Sequence, residues 1–218
     1  MTFKEHPVSY EAFGAVGDGV TDDLPAICAA HAHANAEGLP VVSKPGVTYH
    51  LGRQALTAII TTDTDWNTSR FTIEDGEVED HTKALFQVCS SLPPAKFQIS
   101  TLKRDQKHLA VRPDQDCYVW VENSNEMKFI RRGVNQNEGK TQQDCFVLKP
   151  DGSVASPIDW DYEEITDVKA YPIDEKPLRL CGGIFTTFAN RMRQEVGYNY
   201  WGRNIEITRS NTEVDGLT

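Results

Sequence analysis

Apolar residues recur at helical spacing in a stretch near the start of the chain. Leu24, Ile27, Ala30, His31 and Ala34 lie three or four positions apart, and Gly38 stands where such a helix would stop. The spacing predicts a short amphipathic helix from about Asp22 to Glu37. Asp22 or Thr21 is placed to cap it, Asp23 adds negative charge to the first turn, and Pro25 lies where a missing N–H costs nothing. Immediately upstream, "FGAVGDGVTDD" (13–23) is rich in glycine and aspartate. Gly17 and Gly19 permit positive φ in a tight turn.

Beyond residue 38 the period changes. Short strand-like runs dominate: "PVV", "VTYHL", "LTAIITT", "RFTI", "LFQV", "KFQI", "HLAV", "CYVWVE", "MKFI", "CFVLKP" and "NIEITRS", with turn signals such as "EDGE" and "KPDG" between several of them. The chain therefore reads as mainly β, although no strict repeat of fixed length is visible. From about Asp105 to Asp151, Cys117, Val119 and Val121 alternate with Tyr118, Trp120 and Glu122, the pattern of two-faced strands in an antiparallel sheet. "RRGVNQNEGKTQQDCFVLKPDGSV" continues as hairpins joined by polar turns.

A glycine-rich turn opening a helix suits a phosphate, but the dinucleotide fingerprint fails here because Asp22 stands in place of its third glycine. The loop has no Lys for a P-loop, and Asp18 is followed by Gly19 and Val20 instead of alternating calcium ligands. "YEAFGAVGDGVTDDLPAICAAHAHA" and "GLPVVSKPGVTYHL" instead resemble the N-terminal signature of the pectate lyase superfamily. The matching residues are Phe13, Gly14, Ala15, Gly17, Asp18, Gly19, Thr21, Asp22, Asp23, Ala26 and Ile27, then Pro45, Gly46, Thr48 and Tyr49. That superfamily of right-handed parallel β-helix proteins includes polysaccharide lyases, polygalacturonase-like hydrolases and phage tailspikes. The match is dense over the first fifty residues and weaker beyond, in "TDTDWNTSRFTIED" and "RNIEITRSNTEVDG".

The resemblance implies a right-handed parallel β-helix whose open N-terminal end is covered by the loop and the short helix. Stacked coils leave apolar side chains and unpaired backbone groups at each end, and these need a cap. Residues 1–89 would hold the cap and first coils, 90–175 an inserted β-rich subdomain, and 176–218 the resumed coils. Coils would resume near "LCGGIFTTFAN", where Gly182 and Gly183 permit close backbone approach or a bend. "NIEITRSNTEVDGLT" reads as one coil strand and its turn, without an amphipathic element to cover the next edge. The chain is therefore expected to be the N-terminal part of a longer protein, or to have its rim covered by self-association or a partner.

The chain has 218 residues and a net charge of −10, with a sequence pI near 5.0. That balance argues against nucleic acid or an anionic membrane as the main partner. No stretch approaches the roughly 18–20 apolar residues of a membrane span. Cysteines at 28, 89, 117, 145 and 181 form an odd, widely spaced set without C-x-x-C, so most are expected to be buried thiols. Asn67 in "NTS" fits a sequon that also arises by chance, and "KFIRR" (128–132) is a small basic patch.

The resemblance implies a polysaccharide partner and an extracellular, periplasmic or virion-associated setting, although "MTFKEHPVSY" has no apolar signal-peptide core. It implies action on polysaccharide as a lyase or glycoside hydrolase, with two alternatives left open, a non-catalytic glycan-binding or phage tail attachment module and a purely structural segment of a longer protein. Inverting hydrolysis needs two carboxyl groups roughly 6.5–9.5 Å apart. "PIDWDYEE" offers Asp159, Asp161 and Glu163 at alternate positions, about 7 Å apart if extended, beside Trp160 or Tyr162. The same run also reads as a solvated acidic loop. Lyase chemistry needs a base and a cation to stabilise the developing charge. Arg203, with Arg191 and Arg193 and the tyrosines 198 and 200, could supply the cation or pack as a structural loop. Sugar-stacking candidates are Trp160, Tyr200 and Trp201, with Trp66 and Trp120 as further indoles. His31 and His33 face different ways on a helix, so no metal site is expected. No cofactor is expected either, Ca2+ entering only under the lyase alternative.

Overall fold

The computed structural model describes residues 6–52, 54–74, 76, 78, 80, 82–130, 139–188 and 202–218. Two compact units are present, one formed by residues 1–91 and 175–218 and the other by Leu92–Asp174. In chain order the elements are β1 (Asp18–Asp22), α1 (Leu24–Glu37), β2 (Val41–Val42), β3 (Thr48–Leu51), β4 (Ala58–Ile60), β5 (Thr64–Asp65), β6 (Arg70–Ile73) and β7 (Phe86–Val88). They are followed by β8 (Cys117–Ile130), β9 (Gly139–Leu148), β10 (Asp167–Pro172), β11 (Leu178–Cys181), β12 (Ile184–Thr187), β13 (Ile205–Ile207) and β14 (Thr212–Asp215). The fold is mainly β.

Among the described residues, the first unit contains three parallel sheets, ordered β1-β3-β6-β12, β2-β5-β11-β14 and β4-β7-β13. The chain visits them in rotation: β2, β3, β4, then β5, β6, β7, then β11, β12, β13, then β14. Each return lays a strand beside the one from the previous turn. Val41 is thus in register with Thr64, Thr64 with Leu180, and Leu180 with Val214.

Parallel register brings equivalent side chains to the strand spacing of about 4.8 Å, close to the stacking distance of aromatic rings. Tyr49, Phe71 and Phe185 are register partners, and their rings stack at centroid distances of 5.3 and 4.8 Å. Trp66 and Phe86 meet this ladder edge-on. The corners repeat as well. Asn67 turns with φ 47°, and one turn later Gly182 and Gly183 turn with φ 69° and 86°. Gly183 N–H donates to Asn67 O at 2.9 Å. A Cβ on Gly182 would overlap that same carbonyl, so the glycine provides both bend and close approach. Ser43 and Ser69 share a hydroxyl contact of 2.6 Å, and the Asn67 amide donates to Ser43 O at 2.9 Å. The sequon asparagine thus has a structural partner.

Helix α1 buries Leu24, Ile27, Ala30, His31 and Ala34, the face expected from their spacing. It stops at Gly38, whose φ of 67° lets its N–H reach Ala34 O. The start differs from expectation. Asp23 is the N-cap residue, yet its carboxylate makes no cap bond to the helix. It turns back to accept the N–H groups of Val16 (2.6 Å) and Gly17 (3.2 Å), while its own N–H donates to His50 O at 2.8 Å. Asp22 accepts the Leu24 N–H at 3.2 Å. The glycine-rich segment also contains β1, parallel to β3, where the sequence suggested only a turn. Asp18 shapes it by accepting Val20 N–H, Thr21 N–H and the Thr21 hydroxyl, bonds that hold its carboxyl below the usual range.

Beneath α1, the Trp66 indole N–H donates to the Tyr10 hydroxyl at 2.9 Å, and that hydroxyl lies 3.0 Å from His31 Nε2. All three residues are fully buried. The Tyr10 hydroxyl oxygen thus accepts from Trp66 and meets His31 in one continuous chain. Burial pushes the His31 pKa down to about 3 and that of Tyr10 upward. A polar chain therefore joins the N-terminal segment, the helix and a coil.

The second unit is built on an antiparallel sheet ordered β10-β8-β9. Cys117, Val119 and Val121 point into its core with Phe146, Leu148 and Ala170, whereas Tyr118 on the other face is exposed. "KFQI" and "HLAV" do not form strands. They cross the inward face as irregular segments fixed by isolated bridges such as Ala95 to Ala170 and His108 to Ser153. Ile99 and Leu109 bury their side chains there, since an apolar run signals burial without requiring a ladder. The expected single strand in "NIEITRSNTEVDGLT" is two, β13 and β14. Of the thiols, Cys117 is buried and Cys145 is exposed.

Candidate functional site

Residues 159–161 of the acidic run lie in the second unit between two anchors, Ile158 and Tyr162, both fully buried. The chain bends at Trp160 between them. Asp159, Trp160 and Asp161 are all exposed. This is not the alternating strand that would align three carboxylates on one face. A single bridge, Leu102 to Tyr162, ties the segment to the chain beside it.

Side-chain to backbone bonds hold the bend. Asp159 N–H donates to Asp144 Oδ2 at 2.7 Å, and Asp161 Oδ1 accepts Arg104 N–H at 2.8 Å. Gln142, fully buried, donates its amide to Asp161 O at 2.8 Å. Glu163 pairs with Lys103 at 3.0 Å, an exposed contact that raises the lysine pKa. Burial, reinforced by the nearby carboxylates of Asp144 and Asp159, pushes the Tyr162 phenol up. Trp160 presents its indole at 43% exposure, with Lys128 Nζ 5.1 Å from the ring centre and Lys128 also paired to Glu126.

An indole with an ammonium over its ring can offer its remaining exposed surface to an apolar ligand face while the charged groups take hydroxyls. Acid–base cleavage makes a further demand, namely environments that push two carboxyl pKa values apart. Asp159 and Asp161 share one exposed environment, and Asp161 is engaged in holding the loop.

Arg203 belongs to the first unit and is 2% exposed. Its guanidinium donates to Leu56 O and Gln54 O, both at 3.3 Å. It borders a cavity of ≈ 360 Å³ lined by Ile73, Phe86, Phe185, Ile205 and Leu217. Tyr200 and Trp201, with Arg191, Arg193 and Tyr198, lie outside the described residues. His31 is in the core, while the His33 ring lies 5.4 Å from that of Phe13. Among the described residues, no group of three or more His, Cys, Asp or Glu could hold a metal ion, and no helix is long and apolar enough to cross a membrane. Sequence reasoning placed Lys128 only in a small basic patch and missed Asp144, because both come from distant strands and become neighbours of Trp160 and Asp159 only through the sheet.

No protein-family model and no curated protein matches the chain. Among solved structures it is similar to the tailspike gp61 of Pseudomonas phage phi297, with 12% identity and a TM-score of 0.46 over 84% of this chain and 34% of the tailspike. It is also similar to the tailspike gp49 of Pseudomonas phage LKA1, with 16% identity and a TM-score of 0.48 over 83% and 34%. The chain thus spans about a third of the length of these tailspikes.

Proposed function

We propose that this chain is the N-terminal part of a carbohydrate-active, right-handed parallel β-helix protein, secreted or virion-associated, and that it binds polysaccharide. The observation that carries the reading is the rotation of the chain through three parallel sheets, with 13–23 and α1 at its first turn. That is the arrangement implied by the pectate lyase superfamily signature in the first fifty residues. The exposed Trp160, with Lys128 above it, supports binding. The exposed setting of Asp159 and Asp161 favours binding over cleavage. The alternative is turnover by this chain, as lyase or hydrolase.

Incubation with a panel of acidic and neutral polysaccharides separates these outcomes. Co-sedimentation reports binding, ultraviolet absorbance of unsaturated uronates reports elimination, and new reducing ends report hydrolysis. Binding without turnover is expected, weakened about tenfold in Trp160→Ala, the loss typical of an aromatic anchor. Hydrolysis that disappears in Asp159→Asn or Asp161→Asn would replace the binding reading with an enzymatic one. Failure to bind any polysaccharide would overturn the saccharide assignment.

A further inference from the structure

The open face of the β10-β8-β9 sheet carries a second cluster of aromatic residues. Tyr171 stands opposite Tyr118, and Lys169 opposite Trp120, in the β10–β8 register. On the other side of β8, Trp120 faces Cys145 and Glu122 faces Gln143. Tyr118 and Tyr171 are 42% and 47% exposed. Cross-strand neighbours lie about 5 Å apart and alternate residues along a strand about 7 Å apart, so the three rings form a continuous patch. The segment carrying Trp160 packs on the inward face with Ile158 and Tyr162, so this patch is on the other side of the sheet.

The row beyond the rings is polar and held in place. Glu122 Oε1 accepts the Gln143 amide at 2.9 Å and the Thr141 hydroxyl, and the Gln143 amide also reaches Thr141 Oγ1 at 2.9 Å. Lys169 Nζ lies 4.7 Å from the Trp120 ring centre and 3.6 Å from Asp167. We propose that this face is a binding surface for a neutral oligosaccharide, whose sugar rings stack on Tyr118 and Tyr171 while their hydroxyls bond to Glu122, Gln143 and Lys169, the ammonium that Trp120 holds between them. The proposal rests on the polysaccharide reading above and adds a site and a charge preference.

Charge selects the occupant. Glu122 and Asp167 flank the rings, and the cation present, Lys169, is already paired with Asp167. A polyanion, nucleic acid or polyuronate, would meet net repulsion there. A second copy of this chain, net charge −10, would bring the same acidic rim against itself in a self-complementary contact. A neutral ligand rich in hydroxyls meets neither penalty.

Cys145 provides a reporter at the centre of the patch. The full chain would be labelled with a maleimide in the presence of cellohexaose, chitohexaose or maltohexaose, with polygalacturonate as the charged comparator, and Cys145 occupancy read by peptide mass mapping. At least one neutral hexasaccharide should slow Cys145 labelling about tenfold, protection of the order lost with one aromatic anchor. Polygalacturonate should not. Trp120→Ala should remove the protection, and so should Tyr171→Ala, whose exposed edge-strand ring can be deleted without opening the core. Labelling unaffected by every neutral sugar, protection by polygalacturonate, or protection surviving both substitutions would overturn the proposal. Protection that rises with protein concentration in the absence of sugar would assign the face to a second copy and overturn it too. If polysaccharide binds through Trp160 while Cys145 labels at its free rate, this inference falls and the preceding reading stands; if none binds, both fall.

Discussion

Replacing Tyr10 by Phe deletes a single oxygen at the centre of the polar chain that links α1 to Trp66 beside β5. The ring stays, with its edge-on contact to Tyr49 at 5.3 Å intact, so no cavity opens. What is lost is the acceptor of the Trp66 indole N–H at 2.9 Å and the partner of His31 Nε2 at 3.0 Å. Both groups are fully buried. An orphaned buried polar group costs about 1–3 kcal/mol, so the substitution should destabilise the first unit by about 2–5 kcal/mol. That is a large share of a typical total of about 5–15 kcal/mol. Urea unfolding gives the global loss, and hydrogen exchange at α1 amides gives the local one. Pairing Tyr10→Phe with His31→Leu in a double-mutant cycle should return a coupling of about 1 kcal/mol or more. A loss below about 0.5 kcal/mol, within the range of an ordinary surface substitution, would refute the idea that this chain of bonds secures the cap.

Other consequences can be tested on the same unit. His31, held at a pKa near 3 by burial, takes up its proton in the unfolded chain first. Stability should therefore fall as pH drops from about 6 to 4, by at most about 1.4 kcal/mol per unit from this group. Thermal melts of His31→Leu should lack that component, and an unchanged slope would contradict it. Asp23→Ala leaves Val16 and Gly17 N–H groups without their acceptor, a loss of about 2–4 kcal/mol at neutral pH, measured by denaturant midpoint. Gly182→Ala combines a φ of 69° with overlap on Asn67 O. It should cost more than the roughly 1 kcal/mol of an unobstructed glycine replacement, with neutral behaviour counting against the packed corner.

Helix α1 was legible because five buried positions at helical spacing leave a strong periodic signal, and β8 because Cys117, Val119 and Val121 alternate with outward-facing neighbours. Strands of two residues, Val41–Val42 and Thr64–Asp65, are too short to show any period. Their assignment comes from stacking on the turns above and below. The Asp18–Asp22 strand was hidden because glycine and aspartate mark turns in isolation, while here an edge beside β3 recruits them. Asp159, Trp160 and Asp161 were found by residue type, but their geometry was misjudged. An extended reading assumes ladder pairing, whereas the chain bends at Trp160 and leaves all three residues exposed. The open aromatic face was half visible: the alternation put Tyr118 and Trp120 together, but Tyr171 arrives only through cross-strand register.

The parallel sheets make a direct demand on neighbouring strands. Thr72 and Thr186, on β6 and β12, must be lateral neighbours, at the strand spacing of about 4.8 Å, within reach of a disulfide. With the native cysteines replaced by serine or alanine, Thr72→Cys combined with Thr186→Cys should oxidise rapidly to an intramolecular disulfide. A variant pairing Thr72→Cys with Thr208→Cys, just past β13 of a different sheet, should stay reduced. Free thiols in the first pair under conditions that oxidise accessible neighbours would contradict the coil stack, and with it the polysaccharide reading built on it.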